Sequence, residues 1–299
     1  MIDLSIIIVT YNSSEDVQEC LESIIKQDIN TMSYELIIVD NASTDSTREI
    51  VNQKFPHLRL RENSKNIGFA GAVNEGFSAS NGKNVLLLNP DAVLGPNFLK
   101  ELSCFLQGNP EVDIVGFKIL RKDGKPERSC WKTPSLKTVM FEMLLPHKLS
   151  IRLIADSPNQ KQDVEIVSGA CMVVRRDVFE HMQGFDPRFF LYYEDADFCY
   201  RARQAGLKVY FYPEITVAHL LSRSSSQDMR SFFIHLYKSK LLFIQKHYSR
   251  PHYLLAWSIV CIGLLLRGVT HLIVGILSFD RQWYQLAKYQ ITALSNTIR

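Results

Sequence analysis

The first part of the chain alternates between short apolar runs and longer amphipathic segments. Three runs are almost continuously apolar and rich in β-branched residues, as in strands buried on both faces of a sheet: Leu4–Thr10, Tyr34–Asp40 and Asn84–Leu88. The segments between them have the apolar spacing of helices: Glu15–Gln27, Ser43–Lys54 and Ala70–Ser80. Strands that alternate with helices of this length predict an α/β fold with a mostly parallel, doubly wound sheet.

This alternation stops at residues 121–165, which are polar and contain four prolines. We predict a mobile connection here, with one amphipathic helix over Leu136–Ile154. The strand and helix patterns resume afterwards, with a strand over Ile166–Val174 and a helix over Ala196–Ala205. The α/β pattern therefore continues on both sides of the connection.

The character of the chain changes after Ser226, so we expect one domain over residues 1–226 and a helical region over 227–299. Within the domain, residues 1–120 and 166–226 form two halves. An aromatic and aliphatic stripe at helical spacing opens the last region: Phe233, Tyr237, Leu241, Ile244 and Tyr248.

Leu254–Leu277 follows as a mostly apolar run of 24 residues. At ~1.5 Å per residue it is long enough to cross the ~30 Å hydrocarbon layer of a membrane. Arg267 and His271 lie inside the run, however, and an arginine at mid-bilayer costs ~2.5–3.5 kcal/mol. A helix lying in the membrane interface avoids this cost, so we favour an interfacial helix over a full span. Packing as an ordinary core helix is the third interpretation.

Charge is distributed unevenly along the chain. Residues 221–299 hold ten Lys or Arg against two Asp, a net charge of +8, which leaves −5 of the total of +3 for residues 1–220. Because the basic region is also apolar, we expect it to bind an anionic membrane surface and not nucleic acid.

Two further patterns bear on location. The six cysteines lie far apart without C-x-x-C spacing, as is typical of a reducing compartment. A strand begins at Leu4, with no signal-peptide pattern before it. We therefore expect the protein at the cytoplasmic face of the cell membrane, as a peripheral or monotopic protein.

Polar residues follow the first two strands, at the edge where open parallel sheets bind ligands. Thr10 and Asn12 end the first strand, and Asp40 and Asn41 end the second. A carboxylate there accepts hydrogen bonds from a base or a ribose, although such residues also make turns and helix caps. A glycine-spaced segment, Asn66–Gly76, enters the next helix, where backbone N–H groups can face a diphosphate or the glycines can allow close packing.

The third strand ends abruptly in the triplet Asn89-Pro90-Asp91. Hard oxygen ligands at this spacing can hold Mg²⁺ or Mn²⁺, and the same triplet can also be a simple turn. His219 ends a later strand and is a candidate further ligand, although a single histidine is more often structural.

Three acids, Glu194, Asp195 and Asp197, follow the aromatic run Phe189–Tyr193 at the start of a helix. One acid is enough to cap a helix, and three crowded carboxylates repel one another. A carboxylate near aromatic surface has a raised pKa that suits a general base.

Taken in order, six segments closely resemble glycosyltransferase family 2, whose catalytic domain has the GT-A nucleotide-sugar-binding fold. They thread residues 1–225: Ser5–Asn12, Val39–Asp45, Asn66–Gly76, Leu87–Ala92, Val167–Arg175 and Gly184–Gly206. The triplet Asn89-Pro90-Asp91, the phrase FFLYYEDADFCYR and the apolar basic tail look most like the rhamnosyltransferase branch, which acts on polyprenyl-linked intermediates of cell-surface polysaccharides.

The resemblance implies roles by position. Asp195 would be the general base with Glu194 beside it, and Asp91 and His219 would hold a divalent cation, Mg²⁺ or Mn²⁺. The nucleotide-sugar donor would bind at the first strand ends and the triplet: Thr10, Asn12, Asp40, Asn41, Asn66, Gly68, Asn89 and Asp91.

Two departures from the family pattern stand out. Asn89 replaces the first acid of the family's D-x-D motif, which weakens the metal site and leaves open a mechanism that depends little on metal. Residues 220–223 (LLSR) follow His219 where the family usually has glycines.

The reaction implied is transfer, with inversion, of a sugar such as rhamnose from a nucleotide diphosphate to a polyprenyl-diphosphate-linked saccharide. Two alternatives stay open. A sugar-phosphate nucleotidyltransferase would show a basic, glycine-rich loop after the first strand, and Tyr11–Asp16 has neither glycine nor lysine. A non-catalytic, membrane-recruited module that binds nucleotide sugars would need no cluster of acids at 194–197.

Overall fold

Strand β1 (Leu4–Thr10) is buried along its whole length and lies between two parallel neighbours. These are β2 (Tyr34–Asp40) and β4 (Asn84–Leu88), so the three predicted strands are confirmed with their predicted bounds. Strand β3 (Arg59–Glu62) extends the sheet beyond β2 and was not predicted, because its RLRE sequence is mostly polar and exposed. The computed structural model describes residues 2–28, 32–219 and 229–298 of the chain.

The second half of the sheet contains a reversal of strand direction. β11 (Cys171–Arg175) runs antiparallel to β4 on one side and to β6 (Ile114–Arg121) on the other. β12 (Val209–His219) is parallel to β6 and antiparallel to β5 (Ala92–Leu94) at the far edge. The sheet is therefore mixed and mostly parallel in its first half.

The strand predicted over Ile166–Val174 is two strands, because the chain turns at Ser168–Ala170 between β10 (Ile166–Val167) and β11. Strand β10 belongs instead to a small antiparallel sheet. The other short strands are β7 (Cys130–Trp131), β8 (Ala155–Asp156) and β9 (Gln162–Asp163).

Helices cover the sheet, and a single apolar cluster fills the space between β1, β2, β4 and the helices on one face. The helices of this unit are α1 (Val17–Ile25), α2 (Thr47–Lys54), α3 (Gly68–Ser78), α4 (Phe98–Gly108), α7 (Arg176–His181) and α8 (Glu194–Gln204). Together with the strands they form one compact unit over residues 1–132, 155–190 and 194–224.

A second compact unit is helical and is assembled from residues 133–154, 191–193 and 225–299. Its helices are α5 (Leu136–Leu144), α6 (His147–Ile154), α9 (Met229–His247), α10 (Arg250–Ser278) and α11 (Arg281–Ile298). Two helices therefore stand where one was predicted over Leu136–Ile154, since Pro146 interrupts the helix. The predicted domain boundary at residue 226 and residues 220–223 lie outside the described residues.

Most buried residues of helix α10 are small, although Val260 and Leu264 are buried too, and most of its large apolar side chains are exposed. The buried residues include Ala256, Gly263 and Gly268, and a Cβ on Gly263 would lie 2.7 Å from the Met143 side chain. Large residues such as Leu266 and Ile273 are exposed. Among the described helices, α10 is long and apolar enough to cross a membrane.

Arg267, inside the apolar run, is folded against other helices of the same unit. Its guanidinium donates a hydrogen bond to the backbone carbonyl of Glu142 and lies 3.5 Å from the Tyr237 hydroxyl. The Glu142 carboxylate forms an ion pair with the buried Lys240. Arg267 and Lys240 thus both find polar partners within the helical unit.

The three residues 191–193 are held within the helical unit by α9. The Ser239 hydroxyl donates to the carbonyl of Leu191 at 2.8 Å, and the rings of Tyr192 and Tyr193 contact those of Phe232 and Phe243. Tyr192 and Tyr193 have φ values of 68° and 69°. Two consecutive left-handed tyrosines are a costly conformation that these contacts maintain.

Candidate active site

Thr10 and Asp40 meet where the parallel strands β1 and β2 end. The Thr10 hydroxyl donates to Asp40 Oδ2 at 3.0 Å, and the backbone N–H of Ser43 donates to Asp40 Oδ1 at 3.0 Å. Arg48 Nε lies 3.7 Å from the same Oδ1 atom. Asp40 is fully buried, so this charge is compensated by the groups that fix the loop after β2.

Asn12 connects the loops that follow these two strands. Its backbone N–H donates to Ser43 Oγ at 2.9 Å, and its side-chain oxygen accepts from the backbone N–H of Thr44 at 2.8 Å. Asn12 itself has a φ of 51°, a left-handed conformation that asparagine tolerates better than most residues. The two loops are therefore locked to each other at the sheet edge.

Asn41 links the second strand end to the start of α3. Its side-chain N–H₂ donates to Asn66 Oδ1 at 2.8 Å and to the carbonyl of Gly68 at 3.1 Å. Its side-chain oxygen accepts from the backbone N–H of Ile67 at 3.0 Å. Asn66 in turn accepts from the N–H of Gly68 at 2.9 Å, so Asn41 and Asn66, two of the four predicted donor-binding asparagines, share one network.

Gly68 allows two segments of backbone to approach closely. It has a φ of 81°, and a Cβ at this position would lie 2.5 Å from the carbonyl oxygen of Phe190. The same carbonyl accepts a 2.7 Å hydrogen bond from the backbone N–H of Phe69. The entry of α3 is thereby fixed against the segment that leads to the acid cluster, which gives Gly68 a structural role whether or not it binds a ligand.

The backbone of Gly169 and Ala170 joins Asn89 to Asp195. The carbonyl of Ala170 accepts from the backbone N–H of Asn89 at 2.9 Å. The N–H of Gly169 donates to Asp195 Oδ2 at 3.0 Å. The triplet after β4 and the first acids of α8 are therefore adjacent, as the sequence motifs predict for parts of one site.

Glu194 and Asp195 lie side by side in different environments. Asp195 also accepts from the N–H of Ala196 at 2.7 Å, and burial raises the pKa of its carboxyl although these backbone hydrogen bonds oppose the shift. Burial, with the charge of Asp195 in addition, raises the pKa of Glu194 well above its ordinary value. Among the described residues, Glu194 Oε2 has no hydrogen-bond partner.

Asp197 has a structural role. It is fully buried and forms a 2.8 Å ion pair with Arg201, one turn further along α8. Arg201 also donates to the carbonyls of Met182 and Gly184. This third acid therefore anchors the helix against the preceding loop, which leaves Glu194 and Asp195 for chemistry.

His219 lies between two carboxylates at the end of β12. The strand register places it opposite Ala92, next to Asp91, and its Nε2 atom lies 3.2 Å from Asp91 Oδ1. Its Nδ1 atom lies 3.1 Å from Glu127 Oε2. Burial alone would lower the pKa of His219, but the neighbouring carboxylates of Asp91 and Glu127 outweigh it and raise the pKa to about 10.

These residues fit a divalent cation. Nε2 of His219 is buried, and within the described ranges it has no hydrogen bond of acceptable geometry, although a carboxylate oxygen of Asp91 is near. Imidazole nitrogen and carboxylate oxygen both ligate Mn²⁺ and Mg²⁺. In the part of the chain that the structure describes, no group of three or more His, Cys, Asp or Glu is arranged to hold a metal. A cation held by Asp91 and His219 would need further ligands, which a diphosphate and water could supply.

Glu127 is the residue of this site that the sequence patterns missed. It lies in the part of the 121–165 stretch that precedes the predicted amphipathic helix, where no apolar periodicity marks an element. The signal that could have placed it is the pair Asp123-Gly124, a typical turn dipeptide, directly after β6. Gly124 has a φ of 75°, and the turn returns the chain beside the strand so that Glu127 reaches His219.

Comparison with known proteins gives a consistent picture. The model of the family described as "Glycosyl transferase family 2" matches residues 5–183. An N-acetylglucosaminyl-diphospho-decaprenol L-rhamnosyltransferase of Mycobacterium tuberculosis is 28% identical over 264 residues, 82% of this chain and 85% of that protein. A low-salt glycan biosynthesis hexosyltransferase of Haloferax volcanii is 30% identical over 214 residues, 69% of this chain and 64% of its relative.

A solved structure extends the likeness to the fold. The mannosyltransferase of Pyrobaculum calidifontis, in complex with GDP-Man and Mn²⁺, matches with a TM-score of 0.58 at 18% identity. The match covers 99% of this chain and 86% of that one. It confirms the expected GT-A fold.

Asp197 has an ion-pair partner and Glu194 has none among the described residues, so removing each charge should change the free energy of unfolding in opposite directions. Because the pKa of Glu194 is raised on folding, its ionisation destabilises the folded state at any pH above the ordinary value of 4.5. Glu194→Gln should therefore increase the free energy of unfolding by ~1–3 kcal/mol near neutral pH. This gain should shrink as the pH falls towards the ordinary value, where the carboxyl is protonated in both states.

Asp197→Asn is the matched comparison on the same helix. It removes a paired charge and leaves Arg201 without its partner, so the free energy of unfolding should decrease by ~1–3 kcal/mol. Urea unfolding of both variants at about pH 7.5 and about pH 4.5 measures these changes. Equal destabilisation by both substitutions at neutral pH would contradict the assignment of Glu194 as an uncompensated buried acid.

Proposed function

We propose a specific reaction for this chain, which belongs to glycosyl transferase family 2 and is a glycosyltransferase. It transfers a deoxyhexose such as rhamnose to a lipid-linked acceptor, with inversion of the anomeric centre. The donor is a nucleotide diphosphate sugar, and the acceptor is a polyprenyl-diphosphate-linked saccharide used in cell-surface polysaccharide synthesis. The observation that carries the chemistry is Asp195, a carboxylate of raised pKa held by two backbone N–H groups at the sheet edge.

Asp195 is the general base of this proposal. The hydrogen bonds from Gly169 and Ala196 fix the direction of its carboxylate, and each oxygen keeps a further lone pair for an acceptor hydroxyl. The acceptor oxygen gives its proton to Asp195 while it bonds to the anomeric carbon, and the bond from that carbon to the diphosphate breaks on the opposite face. A single displacement inverts the anomeric centre and needs no nucleophile from the enzyme. Burial raises the pKa of Asp195, and burial together with the charge of Asp195 raises the pKa of the neighbouring Glu194.

The donor binds, in this proposal, along the networks that follow β1, β2 and β4. Thr10, Asn12 and Asp40 hold the nucleoside, while the diphosphate lies near Gly68 and the Asn89-Pro90-Asp91 triplet; Asn41 and Asn66 shape the loop between them. Asp91 and His219 would hold the divalent cation. When bound, the cation offsets the negative charge that develops on the leaving diphosphate.

The choice of a polyprenyl-linked acceptor rests on similarity and on the helical unit. The decaprenol-linked rhamnosyltransferase of Mycobacterium tuberculosis aligns over most of both chains. Most large apolar side chains of helix α10 lie on its exposed face, where a helix at the surface of a soluble protein carries polar residues. A lipid surface would cover this face and concentrate a lipid-linked acceptor.

We favour attachment in the membrane interface, at the cytoplasmic face, over a full span. Helix α10 packs on α5 and α9. Lys137 lies in α5, Lys148 in the following helix α6, and Lys238 in α9. In a full span, these charged helices would have to enter the bilayer together with α10. Arg267 finds its partners inside the helical unit, so the apolar face can contact lipid without exposing that charge. The basic residues of the region add attraction of ~1 kcal/mol each to an anionic surface.

The role of Asp195 predicts a loss of turnover without a loss of donor binding. Asp195→Asn keeps the shape of the side chain but removes the base, so the transfer rate should fall by ~10²–10⁴-fold. Donor affinity, measured by calorimetry, should change little. Asp177→Asn, at the start of the exposed helix α7, is a control that removes one acid far from the site. Transfer by Asp195→Asn at a near wild-type rate would show that the base is elsewhere and would favour a mainly binding role for this acid.

Metal dependence is tested by removing the cation. EDTA should abolish transfer because Asp91 and His219 alone leave the diphosphate charge uncompensated, and added Mn²⁺ or Mg²⁺ should restore it. Transfer assays with and without chelator, on the same preparation, measure this. Full activity in EDTA would remove the cation from the mechanism and would assign the positive charge at the diphosphate to His219.

The exposed face of α10 predicts a membrane-binding phenotype. Leu266→Glu combined with Ile273→Glu places two charges one heptad apart on that face, and each large side chain contributes ~1.5–3 kcal/mol when buried in lipid. Binding to anionic vesicles should therefore weaken at least ~10-fold in a flotation assay. Ile25→Glu, an exposed apolar residue of α1, is the control. A double variant that floats like the wild type would exclude α10 as the membrane contact.

A further inference from the structure

We propose that Glu127 is a positioning residue that orients His219 for the divalent cation of the donor complex. This inference rests on the metal-assisted donor binding proposed above, and it assigns a role to a residue outside the motifs of the sequence. Glu127 Oε2 lies 3.1 Å from Nδ1 of His219, on the side of the ring away from Asp91. Each nitrogen of the His219 ring thus faces one carboxylate: Nδ1 faces Glu127 and Nε2 faces Asp91.

The chemical reason lies in the two ring nitrogens. A carboxylate at Nδ1 accepts the N–H there, so a cation that displaces the proton of Nε2 binds the lone pair of that nitrogen. Nε2 is the nitrogen that faces Asp91 and that has no hydrogen bond of acceptable geometry within the described residues. An outer carboxylate of this kind fixes the tautomer of a ligating histidine and makes it a stronger ligand.

Glu127 is itself held in place by its backbone. Its N–H donates to the carbonyl of Ile119 at 2.8 Å, and its carbonyl accepts from the hydroxyl of the buried Ser129 at 3.1 Å. Ser129 Oγ accepts in turn from the N–H of Ile119 at 3.2 Å. The residue is therefore attached at a fixed register to β6, the strand that pairs with the strand of His219.

Glu127 has basic neighbours in the chain, so the fact that it pairs with another residue bears on its role. Lys125 and Arg128 are near it in the chain, yet among the ion pairs of the described residues its partner is His219. Pairing with a half-buried imidazole in place of a flexible neighbouring cation is the arrangement expected of a positioning contact. It also supplies a second acid to a site where Asn89 stands in the place of the first acid of D-x-D.

Mn²⁺ binding to the full-length chain, measured by electron paramagnetic resonance, tests the proposal. The probe is Mn²⁺ together with whichever of UDP, GDP and dTDP most stabilises the wild-type chain against heat. Glu127→Gln should raise the Kd for Mn²⁺ by ~10–100-fold and should leave the Kd for the nucleotide without metal unchanged. Asp123→Asn removes an acid from the same turn without contacting His219 and should bind Mn²⁺ like the wild type.

A double-mutant comparison separates positioning from a general loss of structure. In a His219→Ala background, Glu127→Gln should cause no further loss of Mn²⁺ affinity, because the residue that it positions is absent. If Glu127→Gln does not fold, Glu127→Asp, which keeps the charge on a shorter side chain, takes its place with the same expectation. In the complex with nucleotide and the diamagnetic Mg²⁺, where the ring is neutral, the ¹⁵N shifts of His219 should report a proton on Nδ1 in the wild type and a weaker preference for that nitrogen in the variant.

Two failures are distinguishable. If the wild type binds Mn²⁺ and Glu127→Gln binds it equally well, or if the variant weakens binding further in the His219→Ala background, the positioning role is wrong and the metal-assisted function stands. If the wild type binds no Mn²⁺ with any of the three nucleotides, both the metal in the proposed function and this role of Glu127 are overturned.

Discussion

The carboxyl edge of the sheet depends on the hydrogen bonds of one short backbone segment, Gly169 and Ala170. This segment reaches the edge because β11 runs antiparallel to both of its neighbours and begins where β4 ends. Its carbonyl binds the backbone of Asn89 and its N–H binds the carboxylate of Asp195. The end of β4 and the acid-bearing helix are therefore brought together by the main chain, through hydrogen bonds that any side chain at positions 169 and 170 would allow.

The three acids of α8 carry the same functional group, but their different environments give them different properties. Glu194 is buried without compensation, Asp195 is buried but hydrogen-bonded to two backbone N–H groups, and Asp197 is neutralised by Arg201. The three carboxylates lie within four consecutive residues, so helical rotation alone directs them into these different surroundings. The same principle operates at His219, whose two nitrogens face different carboxylates.

Much of the fold could be predicted from the sequence, because buried strands such as β1 and β4 carry an uninterrupted apolar signal. Strand β3 was missed and the break at Pro146 was not recognised. Neither feature changes the pattern of apolar positions on which the prediction was based. At the site, the motif residues could be identified one by one, and the structure brings Thr10 to Asp40 and Asp91 to His219. Glu127 could not be identified in this way, because its role depends on a turn that returns the chain to a strand end.

The discontinuity of the helical unit has a consequence for how the protein is made. Helices α5 and α6 emerge from the ribosome long before α9, α10 and α11, with which they form one unit. At typical synthesis rates of ~5–20 residues per second, the gap lasts on the order of ten seconds. During that interval Met143, which is buried against Gly263 in the complete unit, has no partner from the C-terminal region, and Met140 and Leu144 beside it are exposed in any case. The nascent chain therefore presents an apolar surface suited to a chaperone or to the membrane itself. Targeting during synthesis would then protect the unfinished chain from aggregation before the last helix completes the unit.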